Sequence, residues 1–301
     1  MNSSFREIFD KIYLINMPDR TDRLKRVGEE LRRIGILIDR DVTIVPGRVV
    51  DDRGHFPSQA ALGCFESHLS IFKDAQKNCY GRILILEDDL MISSRFRRIE
   101  EKLVTFIKNK DWDIILLGIF PYHNRTLADY YQDSILTNGF YDTVTFRKPP
   151  LIPSGTHFYA VSQSILDRLI TFSQFVLEKR MTEGHEFKED IKRGLDPAYI
   201  DTALYRFSVE NNDVRYFLAC PSLAWQRDDK NQNFFIRYKD GSTLQLGNIA
   251  KASLQRVFEH RFPSTFAHSP NASVLECFKQ LVRSVTFRMP DLKNNDRNDG
   301  A

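Results

Sequence analysis

The sequence predicts an α/β fold in which a mainly parallel sheet is covered by helices on both faces. Short apolar runs typical of buried strands alternate with amphipathic helical segments from residue 11 to residue 118. That alternation is the pattern of βαβ units. A length of 301 residues and a hydrophobic content of 42% are sufficient for one large domain.

The first unit covers residues 11 to 46. Lys11–Asn16 is a short apolar run soon followed by Pro18, which predicts a buried first strand. Thr21 is placed to cap a helix that ends at Gly35. The apolar stripe of this helix consists of Leu24, Val27, Leu31 and Ile34. Val42–Val45, followed by Pro46 and Gly47, predicts the second strand and a turn.

Two further units follow along the chain. Gly63 is expected to open a helix with Phe65, Leu69 and Phe72 on one face. The apolar runs Arg82–Leu86 and Trp112–Gly118 predict two more buried strands. The helix expected between them carries Phe96, Ile99, Leu103 and Phe106 on one side.

The second half is less regular. We expect loops over 121–138 and Met181–Gly194, strands at Tyr141–Phe146, His157–Val161 and Val214–Ala219, and helices at Ile165–Glu178 and Ala198–Glu210. The two loops are polar or charged, and loops of this kind often contribute to substrate binding.

The pattern changes near residue 247. We expect one domain over residues 1–246, an amphipathic helical C-terminal extension over 247–292 and a disordered polar tail over 293–301. The extension has one apolar helical face with basic flanks, formed by Leu275, Phe278, Leu281, Val282 and Val285. This face predicts peripheral contact of residues 270–290 with an anionic membrane or, alternatively, packing against the preceding domain.

Composition excludes several classes of protein. A formal net charge of +3, from 43 basic and 40 acidic side chains, argues against a nucleic-acid-binding protein. The apolar runs are too short to span a membrane. Met1–Asp10 contains no apolar stretch of the secretory type, and the four cysteines form neither a zinc motif nor a disulfide framework. We therefore expect a cytoplasmic location, either free or peripherally attached to the inner face of the membrane.

Three acidic residues in a row, Glu87, Asp88 and Asp89, directly follow the apolar run Ile83–Leu86. In open α/β sheets the ends of strands are where ligands bind. Adjacent carboxylates repel one another, and their hard oxygen atoms suit Mg²⁺ or Mn²⁺ completed by phosphate oxygens. The triplet also fits a solvated turn or a helix N-terminus, and other metal-dependent phosphate enzymes share it.

Several blocks of the chain together resemble glycosyltransferase family 25, which includes bacterial lipopolysaccharide sugar transferases and animal collagen galactosyltransferases. The main blocks are Ile12–Asn16 with Pro18, Asp19, Arg20 and Arg23, then Leu62–Leu69, then Ile83–Asp89. Weaker matches are Gly155–Ser162, Tyr199–Asp201 and Pro221–Gln226. The order and spacing of the blocks are more specific than any single one.

The resemblance implies a GT-A-like fold and a metal-dependent transfer of a hexose with inversion, from a UDP-sugar such as UDP-galactose. The acceptor would be a hydroxyl of a glycan, a lipid-linked sugar or a lipopolysaccharide-type molecule. Glu87 and Asp89 then take the role of ligands to Mn²⁺ or Mg²⁺, and Asp88 belongs to the donor site. The first position of this Asp-x-Asp-type motif is Glu here, which still permits oxygen ligation.

The remaining candidate residues lie in the other blocks. Asn16, Arg20 and Arg23 follow the first strand, and an arginine there can bind a phosphate with two hydrogen bonds; ordinary surface charge is the alternative. Ser67 and His68 lie inside the helix expected to begin at Gly63. His68 either contacts the donor sugar, positions the triplet or is a core residue.

Inversion in one displacement needs a base for the acceptor hydroxyl, and Asp201 is our candidate. Asp190 and Asp196 compete for that role, and a structural carboxylate on a helix face is the alternative. His157 is either an additional metal ligand or a packed strand residue. Trp225 and Tyr159 either stack on a sugar or pack in the core.

Two other functions fit the same residues. The chain could hydrolyse nucleotide-type substrates as a metal-dependent phosphohydrolase. It could also be a non-catalytic relative of the family that acts as a binding protein.

Overall fold

The fold is taken from a computed structural model that describes residues 4–93, 96–120, 145–147, 154–182, 187, 190, 196–220, 222–227, 233–237 and 243–247. The strands are β1 (Lys11–Asn16), β2 (Val42–Pro46), β3 (Arg82–Glu87), β4 (Leu90–Ile92), β5 (Ile114–Phe120), β6 (Thr145–Arg147), β7 (Ser154–Ser162), β8 (Tyr216–Cys220), β9 (Ala224–Gln226), β10 (Asn233–Arg237) and β11 (Thr243–Gly247). The helices are α1 (Thr21–Arg33), α2 (Ile38–Asp41), α3 (Gln59–Lys77), α4 (Phe96–Asn109), α5 (Leu166–Thr182) and α6 (Ile200–Glu210), with 3-10 turns at Phe5–Ile8 and Gln163–Ile165.

The main sheet has the strand order β2-β1-β3-β7-β5-β8-β6 among the described residues. β1 pairs in parallel with β2 and β3, and β5 pairs in parallel with β8. β7 is antiparallel to both β3 and β5, and β6 is antiparallel to β8. The predicted α/β class with a mainly parallel sheet flanked by helices is therefore confirmed, with two antiparallel strands that the sequence did not reveal.

The chain changes direction across the sheet at β1. It passes from β1 through α1 to β2 on one side, and then through α3 to β3 on the other side of β1. Because parallel crossovers are right-handed, helices that cross in opposite directions cover opposite faces of the sheet. α1 and α3 thus diverge from the shared strand, and the C-terminal ends of β1 and β3 lie between them.

The alternation of side chains along β3 builds a core on each face. Ile83 and Ile85 pack in the cluster that includes residues of α3, α5 and α6. Leu84 and Leu86 pack in the other cluster, with residues of α1 and α4. All four side chains are buried, as expected for a strand in a doubly covered parallel sheet.

Two predicted helix starts differ from the structure. Thr21 is the first residue of α1 rather than its cap, since Arg20 occupies the N-cap position and no side-chain cap bond forms there. α3 begins at Gln59, where the Ser58 hydroxyl accepts a hydrogen bond from the backbone N–H of Ala61. Gly63 therefore lies inside α3, one turn after its start.

Gly63 is required by a close approach of the backbone. A Cβ atom at this position would lie 2.3 Å from the carbonyl oxygen of Arg48, on the segment that follows β2. The glycine lets α3 pack directly against that segment. In contrast, Gly35 has a φ of 81° and ends α1 as the sequence predicts.

A short antiparallel ribbon of β4 and β9 extends from the acidic triplet. It pairs Leu90 with Gln226 and so carries the late segment around residue 226 back to the end of β3. β10 and β11 form a second antiparallel ribbon. No helix in the described ranges is both long enough and apolar enough to cross a membrane.

Several predictions lie outside the described residues. They are the polar loop over 121–138, nearly all of the charged loop after residue 182, the amphipathic extension over 247–292 with its membrane-contact segment 270–290, and the tail over 293–301. Within the predicted strand Tyr141–Phe146, only residues 145–146 are described, and they belong to β6.

Candidate functional site

The candidate site lies at the C-terminal ends of β1 and β3. These parallel strands pair in register, with Ile15 opposite Glu87, so the residues that follow them leave the sheet at the same edge. The strand order changes direction at β1, and a crevice at such a switch point is where α/β proteins bind ligands.

A cavity of about 440 Å³ opens in this crevice, a volume within the range of ~300–1,000 Å³ that is usual for ligand sites. Its wall combines the segments after β1 and β2, one face of α3 and the acidic triplet. Seven of the predicted site residues line it: Arg20, Arg23, Ser67, His68, Glu87, Asp88 and Asp89. The wall also contains Met17, Arg48, Val49, Val50, Gln59 and Cys64.

Asp88 is held by three donors from the end of β1, the segment after it and the first turn of α1. The Asn16 amide donates to Oδ2 over 2.8 Å, and the backbone N–H of Met17 donates to the same atom over 3.3 Å. Arg23 Nη1 donates to Oδ1 over 2.9 Å. Burial opposes the charge of Arg23, but the hydrogen bond and charge of Asp88, with the nearby charge of Asp89, raise the pKa of the guanidinium. Asp88 therefore fixes Arg23 at the cavity wall.

Asp89 is a buried carboxyl group with few interactions that compensate for its loss of hydration. Gln226 donates a hydrogen bond of 2.6 Å to Oδ2, whereas Oδ1 is buried and has no hydrogen-bond partner among the described residues. Burial, together with the charges of Glu87 and Asp88, raises the pKa of Asp89 well above its usual range. A cation at Asp89 would reverse that shift.

The negative charge of Glu87 is stabilised by neighbouring residues of β7 and α3. Thr156 donates a hydrogen bond of 2.9 Å to Oε1, and His68 Nε2 lies 3.5 Å from the same oxygen. Burial raises the pKa of Glu87, but the neighbouring imidazoles of His68 and His157 and the Thr156 hydroxyl outweigh it, so the pKa is lowered. The surroundings of Glu87 thus favour its charged form, whereas those of Asp89 oppose it.

His68 is fully buried and faces Glu87 from α3. Its Nδ1 lies 2.7 Å from the hydroxyl of Tyr159 on β7, which fixes the orientation of the ring. This placement fits the prediction that His68 positions the triplet, and its complete burial does not fit a direct contact with a sugar.

Arg20 and Ser67 line the cavity but also have structural partners. Arg20 forms a two-pronged ion pair with Asp22, through Nε and Nη2. The Ser67 hydroxyl donates to the carbonyl of Gly63 over 2.7 Å and accepts from the backbone N–H of Arg48 over 3.0 Å. Ser67 therefore joins α3 to the segment after β2.

Asp201 does not line the cavity in the part of the chain that the structure describes. Its Oδ2 accepts a hydrogen bond of 2.9 Å from the backbone N–H of Gly155, and its Oδ1 accepts one of 2.8 Å from Thr202. The carboxylate thus anchors the start of α6 to the start of β7. Asp190 pairs with Arg206, and Asp196 pairs with Arg180.

Two further sequence hypotheses are decided by burial. Tyr159 has no exposed surface, so it packs in the core and does not stack on a sugar. His157 is buried on β7, where its Nε2 lies 3.3 Å from the carbonyl of Ala224, and burial lowers its pKa. That contact with Ala224 places this nitrogen in the packing between β7 and β9.

The sequence did not assign roles to Cys64, Thr156 or Gln226, although each belongs to one of the motif blocks. Cys64 lies four residues before His68, a spacing that puts both side chains on one face of a helix. Thr156 reaches the triplet through the antiparallel pairing of β7 with β3. Gln226 reaches it through the antiparallel pairing of β9 with β4. Those pairings have no signal in the local sequence.

The donor set of the triplet fits a divalent metal ion. Glu87 and Asp89 present carboxylate oxygens at one cavity, and Asp89 Oδ1 is the buried acceptor left without a hydrogen bond by the described residues. Hard oxygen ligands of this kind suit Mg²⁺ or Mn²⁺. A bound cation would offset the burial and the repulsion by Glu87 and Asp88 that together raise the pKa of Asp89.

The fold and this cavity place the chain among α/β proteins that bind ligands at the C-terminal ends of parallel strands. Within that class, residues 52–183 match the model of glycosyltransferase family 25 (LPS biosynthesis protein). The matched segment contains α3, the acidic triplet and β7, in agreement with the resemblance that the motif blocks indicate.

Curated relatives match about a third of the chain. Inactive glycosyltransferase 25 family member 3 of Mus musculus is 28% identical over a 129-residue alignment, which covers 36% of this chain and 22% of the mouse protein. Procollagen galactosyltransferase 1-B of Xenopus laevis is 30% identical over 129 residues, which cover 36% of this chain and 21% of the frog protein. The match thus spans about a fifth of the length of these relatives.

A solved structure is also similar. The crystal structure of a glycosyltransferase involved in the glycosylation of the major capsid of PBCV-1 has a TM-score of 0.41 and 14% sequence identity. The similarity covers 72% of this chain and 91% of that chain.

Proposed function

We propose that this chain is a metal-dependent glycosyltransferase that moves a hexose from a UDP-sugar to a hydroxyl group of a glycan or lipid-linked acceptor. Galactose from UDP-galactose is the first candidate, since one of the similar relatives is a procollagen galactosyltransferase. The observation that carries the proposal is the buried Asp89 carboxyl group, which faces the cavity beside Glu87 and Arg23.

Different residues of the cavity would bind the metal ion and the phosphates of the donor. Glu87 and Asp89 would hold Mn²⁺ or Mg²⁺, which supplies positive charge against the departing nucleoside diphosphate. Arg23, fixed by Asp88, is placed to donate hydrogen bonds to phosphate oxygens. Arg20 lines the same wall at the N-terminus of α1, where the helix dipole favours an anion.

Neighbouring polar residues hold the three carboxylates of the triplet in place. Asn16 orients Asp88, Gln226 orients Asp89, and Thr156 orients Glu87. Each of the three carboxylates is thus held by a donor from a different strand or strand end. Such contacts limit the motion of groups that must meet a donor in a defined geometry.

Inversion by one displacement also needs an acceptor for the proton of the attacking hydroxyl. In the described part of the chain, the triplet supplies the carboxylates of the cavity wall, and Asp201, Asp190 and Asp196 lie elsewhere. The proposal therefore leaves Asp201 in a structural role at the start of α6.

Donor binding without transfer is the second candidate function. It is favoured by one observation: a relative of similar identity carries the name inactive glycosyltransferase 25 family member 3. The cavity would then serve to bind a nucleotide sugar, with the same dependence on the metal ion.

Release of UDP from a panel of UDP-sugars separates these functions. The full chain is incubated with Mn²⁺, Mg²⁺ or EDTA, with and without a panel of glycan and lipid-linked acceptors. We expect UDP release that requires both the metal ion and an acceptor. Equal release of UDP without an acceptor would mean that the sugar is transferred to water. Release of UMP and a sugar-1-phosphate would assign a phosphohydrolase, and metal-dependent binding without release would assign a binding protein. Failure of every UDP-sugar to bind with either metal would overturn the proposal.

A further inference from the structure

Three potential metal ligands of different chemistry meet at one side of the cavity. A thiol sulfur of Cys64, an imidazole nitrogen of His68 and a carboxylate oxygen of Glu87 all lie within 4.8 Å of one another. Cys64 and His68 are four residues apart on α3, so they share a helix face, and Glu87 ends the adjacent strand β3. All three line the cavity, which gives an ion a route to them.

The imidazole of His68 is oriented for ligation. The ring is fully buried, and its Nδ1 is engaged by the hydroxyl of Tyr159 over 2.7 Å. Its Nε2 is buried and makes no hydrogen bond with any described residue, although it points toward Glu87. A hydrogen bond at the second ring nitrogen is the usual support of a metal-binding histidine.

The spacing of the histidine and glutamate ligand atoms matches a tetrahedral ion. His68 Nε2 and Glu87 Oε1 lie 3.5 Å apart. Zinc–nitrogen and zinc–oxygen bonds of about 2.0–2.1 Å place two ligands of one tetrahedral ion about 3.3 Å apart. The thiol of Cys64 completes three protein ligands, and the cavity leaves a fourth position open.

We propose that Cys64, His68 and Glu87 form a second metal site, selective for Zn²⁺ or a similar borderline cation. Thiolate and imidazole ligands favour Zn²⁺ over Mg²⁺ and Mn²⁺, which prefer oxygen. The site is distinct in chemistry from the oxygen site of Glu87 and Asp89, but the two share one carboxylate. Zn²⁺ would therefore displace the cation used for donor binding, a consequence that rests on the proposed function, whereas binding itself does not.

Cobalt is the probe for this site, because Co²⁺ substitutes for Zn²⁺ and reports thiolate ligation in its absorption spectrum. The reduced, metal-free full chain is titrated with Co²⁺ in the absence of nucleotide. We expect one equivalent to produce a thiolate-to-cobalt charge-transfer band with the visible bands of tetrahedral Co²⁺, and Zn²⁺ to abolish both. Mg²⁺ should weaken them only at concentrations far above that of Zn²⁺, because the two ions compete for Glu87 and Mg²⁺ binds thiolate and imidazole ligands weakly.

The variants identify the ligands. Cys64→Ser should remove the charge-transfer band, whereas Cys79→Ser, at an exposed cysteine near the end of α3, should keep it. Tyr159→Phe retains the ring and removes only the hydroxyl, and it should weaken Zn²⁺ binding by about 10–100-fold. His68→Gln provides the same test if Cys64→Ser does not fold, as judged by circular dichroism.

Retention of the band in folded Cys64→Ser, or its absence from the folded wild-type chain, would overturn the second site. Neither result bears on the oxygen site, whose test is metal-dependent binding of UDP. Absence of both Co²⁺ ligation and metal-dependent UDP binding in the folded wild-type chain would overturn both proposals.

Discussion

Asn16 and Asp88 lie 72 residues apart in the chain, and the amide of Asn16 donates a hydrogen bond of 2.8 Å to Asp88 Oδ2. This bond ties the end of β1 to the end of β3 at the edge of the cavity. Asp88 in turn holds Arg23. The placement of Arg23, which we propose to bind phosphate, thus depends on a side chain at the end of the neighbouring strand.

We expect Asn16→Ala to weaken UDP binding about tenfold, the equivalent of ~1.4 kcal/mol, because Asp88 loses a buried donor and holds Arg23 less firmly. The free energy of unfolding should fall by about 1–3 kcal/mol. Calorimetric titration with UDP and chemical unfolding measure the two effects. Asn78→Ala is the matched control, since that exposed amide donates only to Asp74. Unchanged UDP affinity in folded Asn16→Ala would contradict this role.

Two helical glycines should respond differently to alanine, with a clear loss of stability only at Gly63. In Gly63→Ala the new Cβ would meet the Arg48 carbonyl oxygen at 2.3 Å, so we expect a loss of about 1–3 kcal/mol in the free energy of unfolding. In Gly28→Ala the Cβ meets only the end of the Ile38 side chain at 3.0 Å, and the helix propensity of alanine offsets the contact. Urea unfolding of both variants decides the matter, and an equally stable Gly63→Ala would sink the close-approach argument.

Asp201→Asn should lower stability more than catalysis. The amide can replace only one of the two oxygens that accept from Gly155 and Thr202, and the lost bond should cost about 1–3 kcal/mol in the free energy of unfolding. Transfer activity per folded molecule should change by less than tenfold, since Asp201 does not line the described cavity wall. A fall in kcat of about 100-fold or more without loss of stability would instead assign Asp201 as the base.

Asp113 should make the fold sensitive to acid. Burial raises the pKa of this carboxyl group, but hydrogen bonds from Arg215 and Ser164 outweigh it, so the pKa is lowered in the folded chain. The stabilisation is therefore complete above the unfolded pKa of about 3.9 and is lost as the pH falls through the folded pKa.

The corresponding measurement is the free energy of unfolding from pH 7 to pH 3 for wild type and Asp113→Asn. We expect the wild type to be more stable at neutral pH and the two curves to converge in acid. Asp213→Asn removes the fully exposed partner of Arg168 and should change stability less, because solvent screens that pair. A constant difference between wild type and Asp113→Asn at all pH values would be inconsistent with the lowered pKa.

The sequence was sufficient where structure depends on local pattern. The apolar run at Lys11–Asn16 corresponds to β1 at both ends, and the run before the triplet is β3 with Glu87 added. The C-terminal ends of neighbouring parallel strands lie at the same edge of a sheet. Polar residues that end or follow the two apolar runs, such as Asn16, Arg23 and Asp88, are therefore expected to lie close together. Their contacts follow from topology that the alternation of helices and strands already implies.

Features set by distant pairing could not be predicted in this way. β7 is an apolar strand whose direction depends on its neighbours, and that direction brings Thr156 to Glu87. The sequence pattern predicts a helix start at Gly63, whereas this glycine lies inside α3 and is required by a close backbone approach of Arg48. Asp201 carries no local sign that its two oxygens are used by β7 and α6.

The central claim is that Glu87 and Asp89 bind a cation that in turn binds a nucleoside diphosphate. Calorimetric titration of UDP in Mn²⁺ and in EDTA tests it most directly, with wild type, Asp89→Asn and the control Asp19→Asn, an exposed carboxylate outside the cavity wall. We predict at least about tenfold tighter binding with Mn²⁺ for wild type and the control, and none of this metal dependence for Asp89→Asn. Metal-independent binding by the wild type, or full metal dependence in Asp89→Asn, would contradict the account.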